Sequence, residues 1–206
     1  MAYILGFFCA DGSMLINPRG SCYIEFENTE PGLLEKFRNC LSSNHKISKN
    51  TKHKNWKPFY RMQIGSKEIF SDLLRLGVTP RKKTRLQLPK IPNLYFSDFV
   101  RGYFDGDGNV WCGYQHKNDR KKATRVLLTG FTNGNKKFLI DLASQLTKRI
   151  GLSSTPSILF RSRAYRLNYS TNDSIRLYKF IYSKNSNLYF LRKKKVFEKF
   201  INGPVA

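Results

Sequence analysis

Apolar and polar positions along this chain follow two periods, and the order of those periods occurs twice. Residues 4–12, ILGFFCADG, read as the end of an apolar helix. After them come two strand-like stretches, SMLIN and SCYIEFEN, and a helix pattern, PGLLEKFRNCL. Two further strands, HKISKN and FYRMQIG, lead to the helix SKEIFSDLLRLG, with Ser66 placed to cap it. Residues 100–108, VRGYFDGDG, restart the series at an offset of 96 residues. They are followed by NVWCGY, TRVLLTGFTN, the helix NKKFLIDLASQLTKRIG, then PSILF, AYRLNYS and the helix TNDSIRLYKFIYS. Strands such as YIEFE and YRMQI alternate apolar and polar residues, which predicts sheets with one buried and one wet face. The pattern gives an α+β chain of two αββαββα repeats. Residues 1–78 form the first half and 79–93, TPRKKTRLQLPKIPN, a linker. Residues 94–206 form the second half, closed by a basic helix, YFLRKKKVFEKFI.

Composition narrows what such a chain binds. The net charge is +23 over 206 residues. A folded domain this basic repels itself unless it meets an anionic partner. The cations are spread through strand-like segments and are not gathered on one amphipathic helix, which favours nucleic acid over a membrane surface. No run of eighteen apolar residues exists to span a membrane. The N-terminus enters a patterned helix directly, without the regions of a secretory signal. Cys9, Cys22, Cys40 and Cys112 make no CxxC pair, and His45, His53 and His116 add no zinc spacing. Reduced, mostly buried thiols in an intracellular compartment with access to DNA are expected.

The repeated motif carries the chemistry. Gly6 and Ala10, like Gly102 and Gly106, are four residues apart and share one helix face. Two such small-residue faces can approach backbone to backbone. The two helices should therefore pack on each other across a pseudo-twofold axis, with Phe7, Phe8, Tyr103 and Phe104 entering the flanking cores. Each helix ends in Asp-Gly, at Asp11-Gly12 and Asp107-Gly108. The glycines suit a left-handed cap. The aspartates sit where the helix dipole disfavours a carboxylate. Two carboxylates brought together in a basic protein call for a cation, and Mg²⁺ fits as a hard, oxygen-liganded ion.

Both segments resemble the LAGLIDADG motif of homing endonucleases in the single-chain, two-motif form. The first copy departs from the family at Cys9, where Asp is frequent and where the second copy keeps Asp105. The resemblance implies two four-stranded antiparallel sheets forming a DNA-binding saddle. It implies a monomeric enzyme that makes metal-dependent double-strand breaks in a long asymmetric target and leaves short 3′ overhangs. Asp11 and Asp107, with the adjoining Ala10 and Gly106, would bind two or three divalent ions. The ions would be Mg²⁺, with Mn²⁺ or Ca²⁺ substituting in binding. Asn28 and Asn133 match the polar residue that follows the second strand of each half, with Glu27, Gly134 and Asn135 as alternatives. Lys83 and Lys193 match the lysine near each site, with Lys82, Lys194 and Lys195 as alternatives.

DNA readout is expected from the wet strand faces. Counting from Asp11, alternation puts Ser13, Leu15, Asn17 and Arg19 on one face and Met14 and Ile16 on the other. From Asp107 it exposes Asn109 and Trp111. In later strands Glu25, Arg61, Gln63, Arg125, Arg161, Arg166 and Asn168 fall opposite apolar partners. Arg to guanine and Asn or Gln to adenine are the favoured base contacts. Lys52, Lys54, Lys117 and Lys121 are expected on phosphate. The rival readings are an intron maturase, a non-cleaving DNA-binding protein of the same fold, and a generic basic RNA-binding protein. The survival of both motif acids favours catalysis.

Overall fold

A computed structural model of the chain describes residues 1–51, 55–116, 122–152, 158–183 and 186–203, and the side chain of Lys83 lies outside what is described. Helix α1 (Ala2–Asp11) leads into strands β1 (Ser13–Ile16) and β2 (Cys22–Asn28). Helix α2 (Pro31–Cys40), strands β3 (Ile47–Asn50) and β4 (Phe59–Gly65) and helix α3 (Lys67–Arg75) follow. The second series is α4 (Phe96–Asp107), β5 (Gly108–Gln115), β6 (Thr124–Asn133), α5 (Lys136–Ile150), β7 (Ile158–Arg161), β8 (Ala164–Tyr169) and α6 (Thr171–Ile181). Helix α7 (Leu191–Ile201) ends it. The expected mixed architecture of two helix–strand repeats is present. Each repeat builds a four-stranded antiparallel sheet, in the orders β1-β2-β4-β3 and β5-β6-β8-β7.

The chain divides into two compact units, Met1–Gly106 and Asp107–Ala206, so nearly all of α4 packs with the first unit. In that unit α2 and α3 cover one sheet face, where Met14, Ile24, Phe26, Met62 and Ile64 are buried. Phe37 of α2 meets Tyr3, Phe7 and Phe26 edge-on, with ring centroids 6.0, 5.1 and 5.3 Å away. Such aromatic contacts add to the area the rings bury. Ser66 caps α3 by accepting from the Ile69 N–H at 3.2 Å, as its position in the sequence predicts.

In the second unit α5, α6 and α7 cover the sheet built from β5 to β8. Leu127, Phe131 and Leu167 lie beneath them, with Phe138, Leu142, Leu146, Leu177 and Phe197 from the helices. Thr129 and Ser174 share a buried hydroxyl–hydroxyl bond of 2.8 Å, which satisfies two polar groups inside this core.

Two local expectations are corrected. Gly12 takes an extended backbone (φ −73°, ψ 159°), and Gly108 is already the first residue of β5. Neither glycine is a left-handed cap. Gly12 is needed for space, because a Cβ there would overlap the Phe8 ring. Ile16, expected beside Met14 on the buried face, is 57% exposed because β1 ends there, past the edge of the core.

Candidate functional site

The two motif helices meet through their glycines within the first unit. A Cβ on Gly6 would overlap the Phe99 carbonyl, and a Cβ on Gly102 would overlap the Tyr3 carbonyl. The contact is reciprocal, since Tyr3 precedes Gly6 as Phe99 precedes Gly102. One turn on, a Cβ on Gly106 would overlap the Ala10 methyl and lie 3.4 Å from Asp11 Oδ2. The small residues thus let the backbones touch, and the Asp11 carboxylate sits beside Gly106. Phe7, Phe8, Tyr103 and Phe104 are all buried.

Around this contact the two motifs differ. The Tyr3 hydroxyl donates to Asp105 Oδ2 at 2.7 Å, inside the protein. Arg101, 2% exposed, donates to Asp98 at 2.7 Å and lies 5.4 Å from the Tyr3 ring centre. The position matched to Asp105 is Cys9, also buried. Loss of hydration pushes its thiol up to about 12, with the Lys82 ammonium pulling weakly the other way.

A lysine binds the backbone at the end of each motif. Lys82, on a 3-10 turn (Lys82–Thr84), donates to the Cys9 and Ala10 carbonyls, both at 2.7 Å. Lys193 of α7 is 7% exposed and donates to the Gly108 carbonyl at 2.6 Å. The last carbonyls of a helix have no partner inside it and carry the negative end of its dipole, so Lys82 is favourable at the end of α1, whereas Lys193 binds the first residue of β5. Lys82 also offsets the cost of ending α1 in an exposed aspartate. Among the described side chains of these basic runs, Lys82 and Lys193 are turned to the motif ends. Lys194 instead pairs with Glu198 at 3.5 Å, and Lys195 is exposed.

Asn28 and Asn133 occupy matched places and do the same job. Asn28 Oδ1 accepts from the Glu30 N–H at 2.8 Å, and Asn133 Oδ1 accepts from the Asn135 N–H at 2.7 Å. Each closes the turn from its strand into the next helix. Asn135, one of the alternatives, caps α5 by accepting from the Lys137 N–H at 3.0 Å. Glu27 lies on the open sheet face opposite Arg61.

The sheet registers place the remaining candidates. In the first sheet Ser13, Glu25 and Gln63 form one cross-strand row on the open face, and Glu27, Arg61 and Ser48 form another. Leu15 and Tyr23 form the next row beyond Ser13, Glu25 and Gln63, on the side away from Glu27. Asn17 lies past β1 in the β1–β2 turn, where its side chain accepts from the Ser21 N–H at 2.8 Å, and Arg19 is exposed in the same turn. In the second sheet Asn109, Gly130 and Asn168 make the corresponding row, and Trp111 faces Leu128. Arg166 lies on that face opposite Thr132 and Leu159, and Arg161 is exposed at the end of β7. The two asparagine Oδ1 atoms converge on Gly130, within 2.7 and 2.9 Å of where a Cβ would stand.

Two expected readers are placed differently. Glu25 is on the open face but only 9% exposed, because Gln63 (3.4 Å) and Arg61 (3.6 Å) close over its carboxylate. Arg125 belongs to the covered face. It donates to the Lys199 carbonyl at 2.6 Å and stacks 4.8 Å from the Phe200 ring centre, so it anchors α7 to its own sheet. Lys52, Lys54, Lys117 and Lys121 lie outside the described residues. All four cysteines are free thiols, but only Cys9 is buried, so the expectation of mostly buried thiols is corrected; among the described residues no helix is long and apolar enough to cross a membrane.

Residues 1–77 match the model of a family described as a LAGLIDADG-like domain. Among solved structures, the I-SmaMI LAGLIDADG homing endonuclease bound to cleaved DNA is similar at 14% identity, with a TM-score of 0.64 over 98% of this chain and 87% of that one. The LAGLIDADG meganuclease I-AabMI bound to uncleaved DNA is 12% identical, with a TM-score of 0.63 over 97% and 88%. I-SmaMI bound to an uncleaved DNA target with calcium ions is 15% identical, with a TM-score of 0.58 over 91% and 86%. No curated protein matches the sequence. The resemblance read from the two motifs therefore holds in sequence over the first 77 residues and in fold over nearly the whole chain.

Proposed function

We propose that this chain is a site-specific DNA endonuclease. It acts as a monomer on a long, asymmetric duplex target, cuts both strands in a Mg²⁺-dependent reaction and leaves short 3′ overhangs. Residues 1–78 and 94–206 each serve one half of the target, joined by 79–93. The observation that carries the reading is the repeated pairing of a helix-ending acid with a lysine on the adjoining backbone. Asp11 comes with Lys82 on the Cys9 and Ala10 carbonyls, and Asp107 comes with Lys193 on the Gly108 carbonyl. The net charge of +23 and the DNA-bound structures of the same fold support it.

The donors fit a hard divalent ion. Asp11 and Asp107 offer carboxylates, and Ala10 and Gly106 offer backbone carbonyls, all of them oxygen. The Ala10 carbonyl already accepts from Lys82, but a carbonyl oxygen has two lone pairs and can serve both. When bound, Mg²⁺ supplies a more acidic water and charge stabilisation on the scissile phosphate and its leaving 3′ oxygen. The carboxylates hold that charge, and Lys82 and Lys193 fix the carbonyls beside them and add positive potential for phosphate. Asn28 and Asn133 keep the strand–helix turns in place through their Oδ1 atoms.

The test is cleavage of a randomised duplex library in Mg²⁺, which reports activity and target together. With the selected target, Asp11→Asn and Asp107→Asn should each slow cutting by at least about a hundredfold. Unchanged rates in both variants would overturn the mechanism. Binding should also weaken steeply as salt rises, because many phosphates are neutralised.

A further inference from the structure

The open face of the second sheet carries an apolar plateau that the cleavage chemistry does not use. The indole of Trp111 lies along its own strand over Gly113, so close that a Cβ at Gly113 would overlap the ring. Trp111 pairs with Leu128 and Gly113 with Val126 in the β5–β6 register, so the four share one face. Trp111 is 48% exposed, while Leu128 and Val126 are half-buried. On the same face Arg166 and Asn168 are exposed, and Arg161 stands at its edge. An apolar patch on a sheet face that also carries arginines, two rows on at Arg166 and at the end of β7, suits a partner that sets methyl groups among anions. The major groove of duplex DNA is such a surface, and thymine is the base that brings a methyl group to it.

Resting on the endonuclease reading above, we propose that Trp111, backed by Leu128 and Val126, determines specificity for thymine by packing against its C5 methyl in the half-target served by the second sheet. Gly113 is part of the device. Without a Cβ there, the indole lies down along the strand and offers its face, where it would otherwise have to stand off the sheet. The matched row of the first sheet holds Leu15 and Tyr23, which offer less flat area. Thymine preference should therefore be strongest in one half-target.

The test replaces each thymine of the selected target with deoxyuridine, which removes only the methyl, and measures binding by the full chain. At one or two positions within a single half-target, uracil should weaken wild-type binding about fourfold per methyl lost. Trp111→Ala and Trp111→Gln, checked for unchanged thermal unfolding, should bind thymine and uracil targets equally. Equal binding of thymine and uracil targets by the wild type would overturn the inference and leave the endonuclease reading standing. Discrimination that survives in both Trp111 variants would also overturn it. Absence of both cutting and sequence-selective binding would remove the endonuclease reading, and this inference with it.

Discussion

Helices α1 and α4 are alike wherever backbone meets backbone and unlike one residue away. Gly6 matches Gly102, small Ala10 matches small Gly106, and Asp11 matches Asp107. Among the side chains that differ are Tyr3 against Phe99 and Cys9 against Asp105. They come as a set, because Tyr3 is the hydroxyl that bonds Asp105, while Phe99 has none to offer Cys9. Where a Cβ would strike a carbonyl, there is one solution and both copies keep it. Where side chains meet, each copy has settled its own polar balance. The sheets teach the same lesson. Strand order is shared, but the row next to the motif holds a neutralised acid, Glu25, in the first sheet and Gly130 between two asparagines in the second.

The largest expected effect tests the shared part. Gly6→Val and Gly102→Val each push a side chain into a backbone carbonyl that cannot rotate away. Each should cost about 3 kcal/mol or prevent folding. Denaturant unfolding of the two variants should give matching losses, since the contact is reciprocal. A large loss at one glycine and a small one at the other would break the equivalence of the two helices.

The elements on either side of this contact were legible because period and punctuation agree. Strands such as YRMQI alternate cleanly, and Ser66 stands where its hydroxyl can cap α3. The candidate site was legible at Asp11 and Asp107 because the motif repeats at a fixed offset. Arg125 was not legible as an anchor. It precedes Val126, Leu127 and Leu128, and a run of three apolar residues does not say which side faces the core. Glu25 was assigned to the right face but not to its burial, which depends on Arg61 and Gln63 from a strand 36 to 38 residues away. Lys82 was hidden among like neighbours, because only the 3-10 turn decides which lysine points at α1.

The next effect tests the part that differs. Tyr3→Phe removes the hydroxyl from buried Asp105 and should cost about 1–3 kcal/mol. Asp105→Cys makes the second motif resemble the first, and once it is present Tyr3→Phe should cost much less. A double-mutant cycle on urea unfolding reads the coupling. Additive losses would mean that these two differences between the motifs are unrelated. A smaller effect is expected on the first sheet. Glu25→Gln keeps the shape but removes the charge beside Arg61, and should lower stability by about 1 kcal/mol or less.

The smallest effect at neutral pH concerns Cys9. Burial lifts its thiol from 9.0 to about 12, so the folded state keeps the proton where the unfolded chain has lost it. Below pH 9 both states are protonated and the thiol adds no pH dependence. Between pH 9 and 12 the unfolded state binds fewer protons, so stability must fall as pH rises. Unfolding followed from pH 8 to 11 should therefore show wild type losing stability relative to Cys9→Ala across that window. Superimposable pH profiles would remove the buried thiol as the cause. A thiol-specific reagent offers an independent reading. Exposed Cys40 should react quickly in the native protein, whereas Cys9, protonated and screened from water, should react only as fast as the first unit opens. Labelling of Cys9 at the Cys40 rate would show that α1 is not held where its glycine contact with α4 requires.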